Sequence, residues 1–162
     1  MDISGIPLTT ISGGAATLAD YDGDVKLVVN VASRCGLSPQ YEKLEAMQRE
    51  YAGRGFTVLG FPSNQFKQEL DSEADIAEYC SATWGVTFPM FERVAVNGDD
   101  RHPLYAELTA TPDEQGVAGD VQWNFEKFVI TPDGAVRRFR PTTEPDAPEI
   151  VELIEAHLTA AA

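Results

Sequence analysis

Two cysteines, Cys35 and Cys80, carry most of the nucleophilic capacity of this 162-residue chain. Cys35 follows the run Val25-Lys26-Leu27-Val28-Val29-Asn30-Val31 and precedes Ser38-Pro39, which reads as a helix N-cap and first helical residue. A helix start offers unpaired N–H donors and roughly half a positive charge, which favours a thiolate over a thiol. Arg34 adds positive potential, and Gly36 lets the backbone come close to whatever meets the sulfur. A free cysteine is also often just a small core side chain, and position alone does not choose between the two readings. Cys80 falls at an apolar helical position alongside Ile76, where redox chemistry and simple burial both remain open.

Other chemistries find no support. His102 and His157 are the only histidines, and neither adjoins a Ser or Cys motif that would make a hydrolase. His102 before Pro103 reads as a helix start, and His157 as a charge near a helix C-terminus. No CxxC, HExxH or paired Cys/His spacing predicts a metal, and no Gly-rich loop predicts a nucleotide or flavin. Asn97-Gly98-Asp99-Asp100 has calcium-like composition without the twelve-residue loop, so it is read as a turn.

Holding a sulfur in place takes a rigid strand before it and a helix after it. The β-branched run 25–31 suits a strand buried on both faces of a sheet. Tyr41, Leu44, Met47, Gln48 and Tyr51 recur at helical spacing, and Gly53 and Gly55 end that helix. Phe56 to Phe61 makes a second strand, stopped by Pro62. Ser72-Glu73-Ala74-Asp75 has capping-box form and opens a helix through Ile76, Tyr79 and Cys80. Pro89 to Val96 is expected as a strand closed by an Asn97-Gly98 turn, and Pro103 starts a helix carrying Leu104, Tyr105 and Leu108. Phe125 to Ile130 and Ala135 to Phe139 flank the hairpin signal Pro132-Asp133-Gly134. Pro148 starts a last helix with Ile150, Val151, Leu153, Ile154 and Leu158 inward, while residues 1–24 read as a small N-terminal β-hairpin. The pattern predicts a single α/β domain over 1–162, a mixed sheet with helices on both faces.

Composition excludes further classes. With 26 acidic against 12 basic side chains the formal charge is −14, which argues against a nucleic-acid partner. No apolar run approaches the ~20 residues of a membrane span, and Met1-Asp2-Ile3-Ser4-Gly5 does not open a signal peptide. The expectation is a cytoplasmic protein without stable membrane association, in a compartment too reducing for a permanent disulfide.

Several segments together resemble one family. Val29-Asn30-Val31-Ala32-Ser33-Arg34-Cys35-Gly36-Leu37-Ser38-Pro39-Gln40-Tyr41 is similar to the first signature of glutathione peroxidases. Gly60-Phe61-Pro62-Ser63-Asn64-Gln65-Phe66 resembles their second signature, and Trp123-Asn124-Phe125-Glu126-Lys127-Phe128 their third. Phe88-Pro89-Met90-Phe91, Val96-Asn97-Gly98-Asp99, Arg138-Phe139 and Pro141-Thr142-Thr143 match stretches between and after them. The resemblance runs in order over nearly the whole chain.

That resemblance implies a thioredoxin-like fold and a peroxidase acting on hydrogen peroxide and organic hydroperoxides. It makes Cys35 the peroxidatic residue and Gln65, Trp123 and Asn124 its polar partners. Alone, those three would read as a core aromatic and two loop-capping amides. As partners, their N–H groups could stabilise a thiolate and orient a peroxide. Cys80, 45 positions after Cys35, corresponds to the resolving cysteine of two-cysteine members. A sulfenic acid at Cys35 would become a disulfide, which a thioredoxin-type dithiol reduces. Because Cys80 lies in a helix, that helix would have to loosen during turnover.

Ser63 stands where many relatives have a further, usually dispensable cysteine. Pro141 and Thr142 stand where glutathione-preferring members carry arginines. Together with the acidic surface this favours thioredoxin over glutathione as reductant. The alternatives are a glutathione-dependent enzyme with Cys80 idle, a peroxide-sensing relay, and a binding module with an inert cysteine. No metal, haem or flavin is required. Only 14 residues, 109–122, separate Leu108 from Trp123, whereas tetrameric relatives carry a longer insertion there, so a monomer or weak dimer is expected.

Overall fold

The structure is a computed structural model that describes residues 3–159; Met1, Asp2 and the last three residues of the expected 1–162 domain lie outside the described residues. The expected N-terminal hairpin is present but short, with β1 (Leu8–Thr9) antiparallel to β2 (Ala15–Ala16). The central strand β3 (Val25–Val31) is buried along its whole length, as its β-branched run predicts. After it come α1 (Gln40–Tyr51), β4 (Phe56–Pro62), α2 (Glu73–Tyr79) and α3 (Pro103–Leu108). The chain closes with β5 (Lys127–Ile130), β6 (Val136–Phe139) and α4 (Pro148–Glu155).

The sheet order is β4-β3-β5-β6, with β4 parallel to β3 and the other two pairs antiparallel. Side chains alternate across it and build two cores. Val25, Leu27, Val29 and Val31 meet Tyr41, Leu44, Met47 and Tyr51 of α1, with Ile150 and Ile154 of α4. On the opposite face Val28, Leu59, Phe61 and Phe128 meet Leu104, Tyr105 and Leu108 of α3, with Leu8 of the hairpin. This is the mixed sheet with helices on both faces that the pattern predicts. Gln48, the polar member of the α1 stripe, uses its side-chain oxygen to accept the Val58 N–H at 2.7 Å. In α4 only Ile150 and Ile154 are fully buried; Val151, Leu153 and Leu158 are half-buried.

Four local expectations are corrected. Ser38 does not cap α1: Pro39 holds helical dihedrals at the cap, and tight i→i+3 bonds from Gln40, Tyr41 and Glu42 wind the chain into the helix. Cys80 is not within α2, which ends at Tyr79; a π-type turn, Cys80–Trp84, follows and stops at left-handed Gly85. Strand β5 starts two residues after Phe125, because Phe125 is left-handed (φ 67°) and its N–H is taken by the Asn30 carbonyl at 2.6 Å. Pro89–Val96 forms isolated bridges instead of a strand. Its bonds alternate between β4 (Phe91 N–H to Gly60 O, 2.9 Å) and the hairpin (Glu92 N–H to Thr9 O, 2.9 Å), so neither ladder continues.

That segment passes close to β4 because Gly60 has no side chain. A Cβ there would lie 2.6 Å from Met90 Sδ and 3.0 Å from a Phe88 ring carbon. A second constraint is ionic. The Arg138 side chain is fully buried, ion-paired with equally buried Glu126 at 2.5 Å, and it donates to the carbonyls of Thr109, Thr111, Gly119 and Asp120. It thereby holds most of the connection between α3 and β5.

Two stability predictions follow from these contacts. Gly60→Ala should lower unfolding free energy by about 1–3 kcal/mol through overpacking, read as an earlier denaturant midpoint at unchanged slope. Arg138→Met should cost about 3–5 kcal/mol because the buried Glu126 Oε2 and four carbonyls lose this donor, although Arg140 still pairs with the other Glu126 oxygen. Equal midpoints for parent and variants would contradict both.

Candidate active site

Beyond Val31 the chain turns through residues 33–39 and presents Cys35, 4% exposed. Its Sγ accepts one hydrogen bond, from the Leu37 N–H at 3.3 Å. The donor is thus a backbone amide of the turn entering α1, as the helix-start argument requires. The turn is fastened from outside. Arg34 N–H donates to Gln68 O at 2.7 Å, and Ser33 gives both its N–H (2.9 Å) and its hydroxyl to Glu69 Oε1. The same oxygen accepts the Leu70 N–H at 2.8 Å. Burial pushes the Glu69 carboxyl above its ordinary pKa, against the pull of these donors and of Arg93.

The segment bearing Trp123 and Asn124 is fastened to the end of β3. Asn30, fully buried, donates from Nδ2 to Trp123 O (3.1 Å) and accepts at Oδ1 from Glu126 N–H (3.1 Å). With the Phe125 N–H on its own carbonyl, Asn30 bonds three backbone groups of that loop, at Trp123, Phe125 and Glu126. Asn124 is 0% exposed, and neither Nδ2 nor Oδ1 has a hydrogen-bond partner among the described residues. Trp123 is 36% exposed, packs against Phe66 with ring centroids 4.9 Å apart and planes tilted by 44°, and leaves its indole N–H unbonded among the described residues.

Gln65 is spent elsewhere. Its Oε1 accepts from Val96 N–H (2.5 Å) and Asn97 N–H (2.7 Å), and its Nε2 donates to Asn97 O (2.7 Å). Asn97 in turn bonds Val121 through both side-chain atoms. Gln65 therefore secures the chain leading into Trp123. None of Gln65, Trp123 and Asn124 donates to the sulfur in this structure, where the Leu37 amide is the donor, Gln65 is bonded to Val96 and Asn97, and the Asn124 amide is without a partner among the described residues.

Cys80 packs in the same core as Cys35, with Tyr41, Ile76 and Phe125. Burial pushes its thiol up to about 11; the nearby Tyr41 hydroxyl pulls it down and the Glu69 charge raises it further. Around it Tyr41 stacks on Trp84 (6.3 Å) and meets Phe125 edge-on (5.3 Å), while Trp84 Nε1 donates to Tyr79 Oη at 3.0 Å. Both cysteines are free thiols here. On the far side of the third signature, buried Lys127 donates to Pro141 O at 2.9 Å, a carbonyl it shares with Gln40, and burial lowers its pKa to about 7.

Two positioning residues, Asn30 and Glu69, were not singled out from sequence. Asn30 does carry a signal, a lone polar residue between valines of an otherwise apolar strand. Glu69 carries none. Among the described residues no group of three or more His, Cys, Asp or Glu is placed to hold a metal, and no helix is long and apolar enough to cross a membrane.

The sequence profile of the glutathione peroxidase family matches residues 5–109. The Thioredoxin/glutathione peroxidase BtuE of Escherichia coli is 47% identical, covering 91% of this chain and 92% of that protein. The Hydroperoxy fatty acid reductase gpx1 of Synechocystis is 42% identical over 89% of each. Among solved structures, that of Trgpx in apo form superposes with a TM-score of 0.75 at 38% identity, covering 97% of this chain and 95% of that one. A thioredoxin family thiol:disulfide interchange protein from Chlorobium tepidum shares the fold alone, with TM-score 0.60 at 20% identity over 95% and 97% of the two chains. The fold is thioredoxin-like, and the chain belongs to the glutathione peroxidase family, as a thiol peroxidase that reduces hydroperoxides.

Proposed function

We propose that Cys35 is the peroxidatic residue, that Cys80 resolves it, and that a thioredoxin-type dithiol is the reductant. The observation that carries this reading is Asn124. A fully buried amide with no partner costs about 1–3 kcal/mol, and a substrate oxygen that reached it would remove that cost. Cys35 thiolate attacks the terminal peroxide oxygen; the O–O bond breaks, the departing oxygen takes a proton and leaves as water or alcohol, and a sulfenic acid remains. Trp123 and Asn124 flank this event, and Gln65 holds the loop that supports them. The Cys80 sulfur then displaces the sulfenic oxygen as water, and exchange with the external dithiol regenerates both thiols.

The name of the Escherichia coli relative includes both thioredoxin and glutathione. The net charge of −14 and the absence of an arginine pair at Pro141-Thr142 favour the dithiol over an anionic tripeptide. One domain, a monomeric state and a cytoplasmic location complete the reading; the short 109–122 connection, tied down by Arg138, supports the monomer.

Two measurements test it. In a coupled assay Cys35→Ser should abolish peroxide-dependent NADPH oxidation, and Cys80→Ser should lose thioredoxin-dependent turnover while still consuming one equivalent of peroxide. A Cys80→Ser enzyme with full thioredoxin-dependent turnover would remove the resolving role. In the reduced parent, Cys80 with a thiol near 11 should alkylate about a hundredfold more slowly at pH 8 than a free cysteine, rising as pH approaches 11. Labelling at the free-cysteine rate would mean that the Cys80 turn is open at rest.

A further inference from the structure

Three glutamates are buried among the described residues, and two are satisfied at both oxygens. Glu45 receives Thr87 N–H at Oε1 and the Thr87 hydroxyl and Arg49 at Oε2. Glu126 receives Arg140 and Gln122 N–H at one oxygen and Arg138 at the other. Glu69, 3% exposed, differs: Oε1 takes three donors, and Oε2 is buried without a partner. A half-used carboxylate is costly unless something else is served by it.

The groups facing Glu69 from neighbouring elements are Tyr41 on α1, Cys80 on the turn after α2, and Arg93 on the segment beyond it. The Tyr41 hydroxyl, buried beside Cys80, likewise has no conventional partner among the described residues. Glu69 thus bears on both cysteines: Oε1 fastens the turn that carries Cys35, and its charge is felt at Cys80.

We propose that Glu69 is the proton acceptor for Cys80 during disulfide formation, working through Oε2 while Oε1 keeps the Cys35 turn in place. The inference rests on the resolving role of Cys80. The Cys80 S–H bond breaks and its proton passes to Oε2, directly or through the Tyr41 hydroxyl. Cys80 sulfur bonds to Cys35 sulfur, and the Cys35 S–O bond breaks. The departing hydroxide takes the proton back from Glu69 and leaves as water. The sulfenic sulfur is reduced and the Cys80 sulfur oxidised, with no net proton. Because Glu69 is tied to the Cys35 turn, it stays at hand when Cys80 moves towards that turn.

The test is a peroxide pulse on the full chain, following Cys35 sulfenate with a trapping reagent and the Cys35–Cys80 disulfide by mass spectrometry across pH. With the Cys80 thiol near 11, attack by its own thiolate would rise about tenfold per pH unit through neutrality. Attack assisted by an internal acceptor is flat there and falls only when acid protonates Glu69, whose buried carboxyl titrates above the ordinary range. Glu69→Gln keeps the oxygen that Ser33 and Leu70 bond but loses the acceptor. It should slow disulfide formation about tenfold or more relative to sulfenate formation at pH 7, and restore the steep pH dependence. An unchanged ratio in Glu69→Gln overturns the proposal. Should that variant fail to fold, the parent profile decides, since a tenfold-per-unit rise also overturns it and a flat one supports it. A parent that forms no Cys35–Cys80 disulfide defeats the resolving role itself, a separate outcome from an unchanged ratio.

Discussion

A polar residue inside a fully buried strand must find partners, and here the partners found by Asn30 bring the third signature to the first. Its carbonyl, side-chain oxygen and side-chain nitrogen bond Phe125, Glu126 and Trp123, so the loop arrives at the end of β3 in one register. Phe125 accepts a left-handed backbone (φ 67°) in exchange, a conformation of order 1–3 kcal/mol that persists where surrounding bonds over-determine it. That kink turns Phe125 into the core against Tyr41 and leaves Asn124 buried without hydrogen bonds. The cost of the orphaned amide and the strain of the kink sit at adjacent residues, Asn124 and Phe125.

The second fastening works on the same principle from the other side. Glu69 and Gln68 reach back to Ser33 and Arg34, so the Cys35 turn is held between β3 and a loop that is distant in sequence. Buried networks of this kind specify geometry because every alternative leaves a charge or amide unsatisfied. Both fastenings end chiefly on backbone groups, the Ser33 hydroxyl being the one side chain among them. They therefore fix the path of the chain and leave the Cys35 side chain itself with one donor, the Leu37 amide.

The elements were legible wherever local pattern and burial agree. The run 25–31, the Tyr41-Leu44-Met47-Tyr51 stripe and Ile150 with Ile154 all name their own faces, and the structure buries them so. Pro89–Val96 was not legible, because its bonds go to two different partners and depend on the missing side chain of Gly60. The start of β5 is hidden for a related reason: Phe125 is a good strand former overridden by Asn30, which is 95 positions away in the sequence. At the candidate site, Cys35, Trp123 and Asn124 are legible in the sequence only as residue types in signatures. The bonding of Gln65 is not, since nothing in its neighbours says that its amide closes on Val96 and Asn97. Tertiary partners are invisible to spacing.

The position of Cys80 raises a question of where the fold can open. Helix α2 has seven residues and one buried side chain, Ile76, far short of the ~12–15 residues that make a helix persist alone. Its first turn is nevertheless anchored, with Ser72 capping Asp75 and Glu73 bonded by Arg93 through both backbone and guanidinium. The Arg93 contact holds the Glu73 carboxyl down at about 2, so the anchor survives through the neutral range and is lost only as acid protonates it. Beyond Tyr79 the restraints change character: a π-type turn, a left-handed Gly85 and aromatic contacts among Tyr41, Tyr79 and Trp84. Opening that turn exposes rings but strands no charge, whereas opening the front of α2 breaks a charge-assisted pair. The cheaper motion pivots at Cys80 and leaves Glu73 attached, and it starts from a sulfur already in the same core as Cys35.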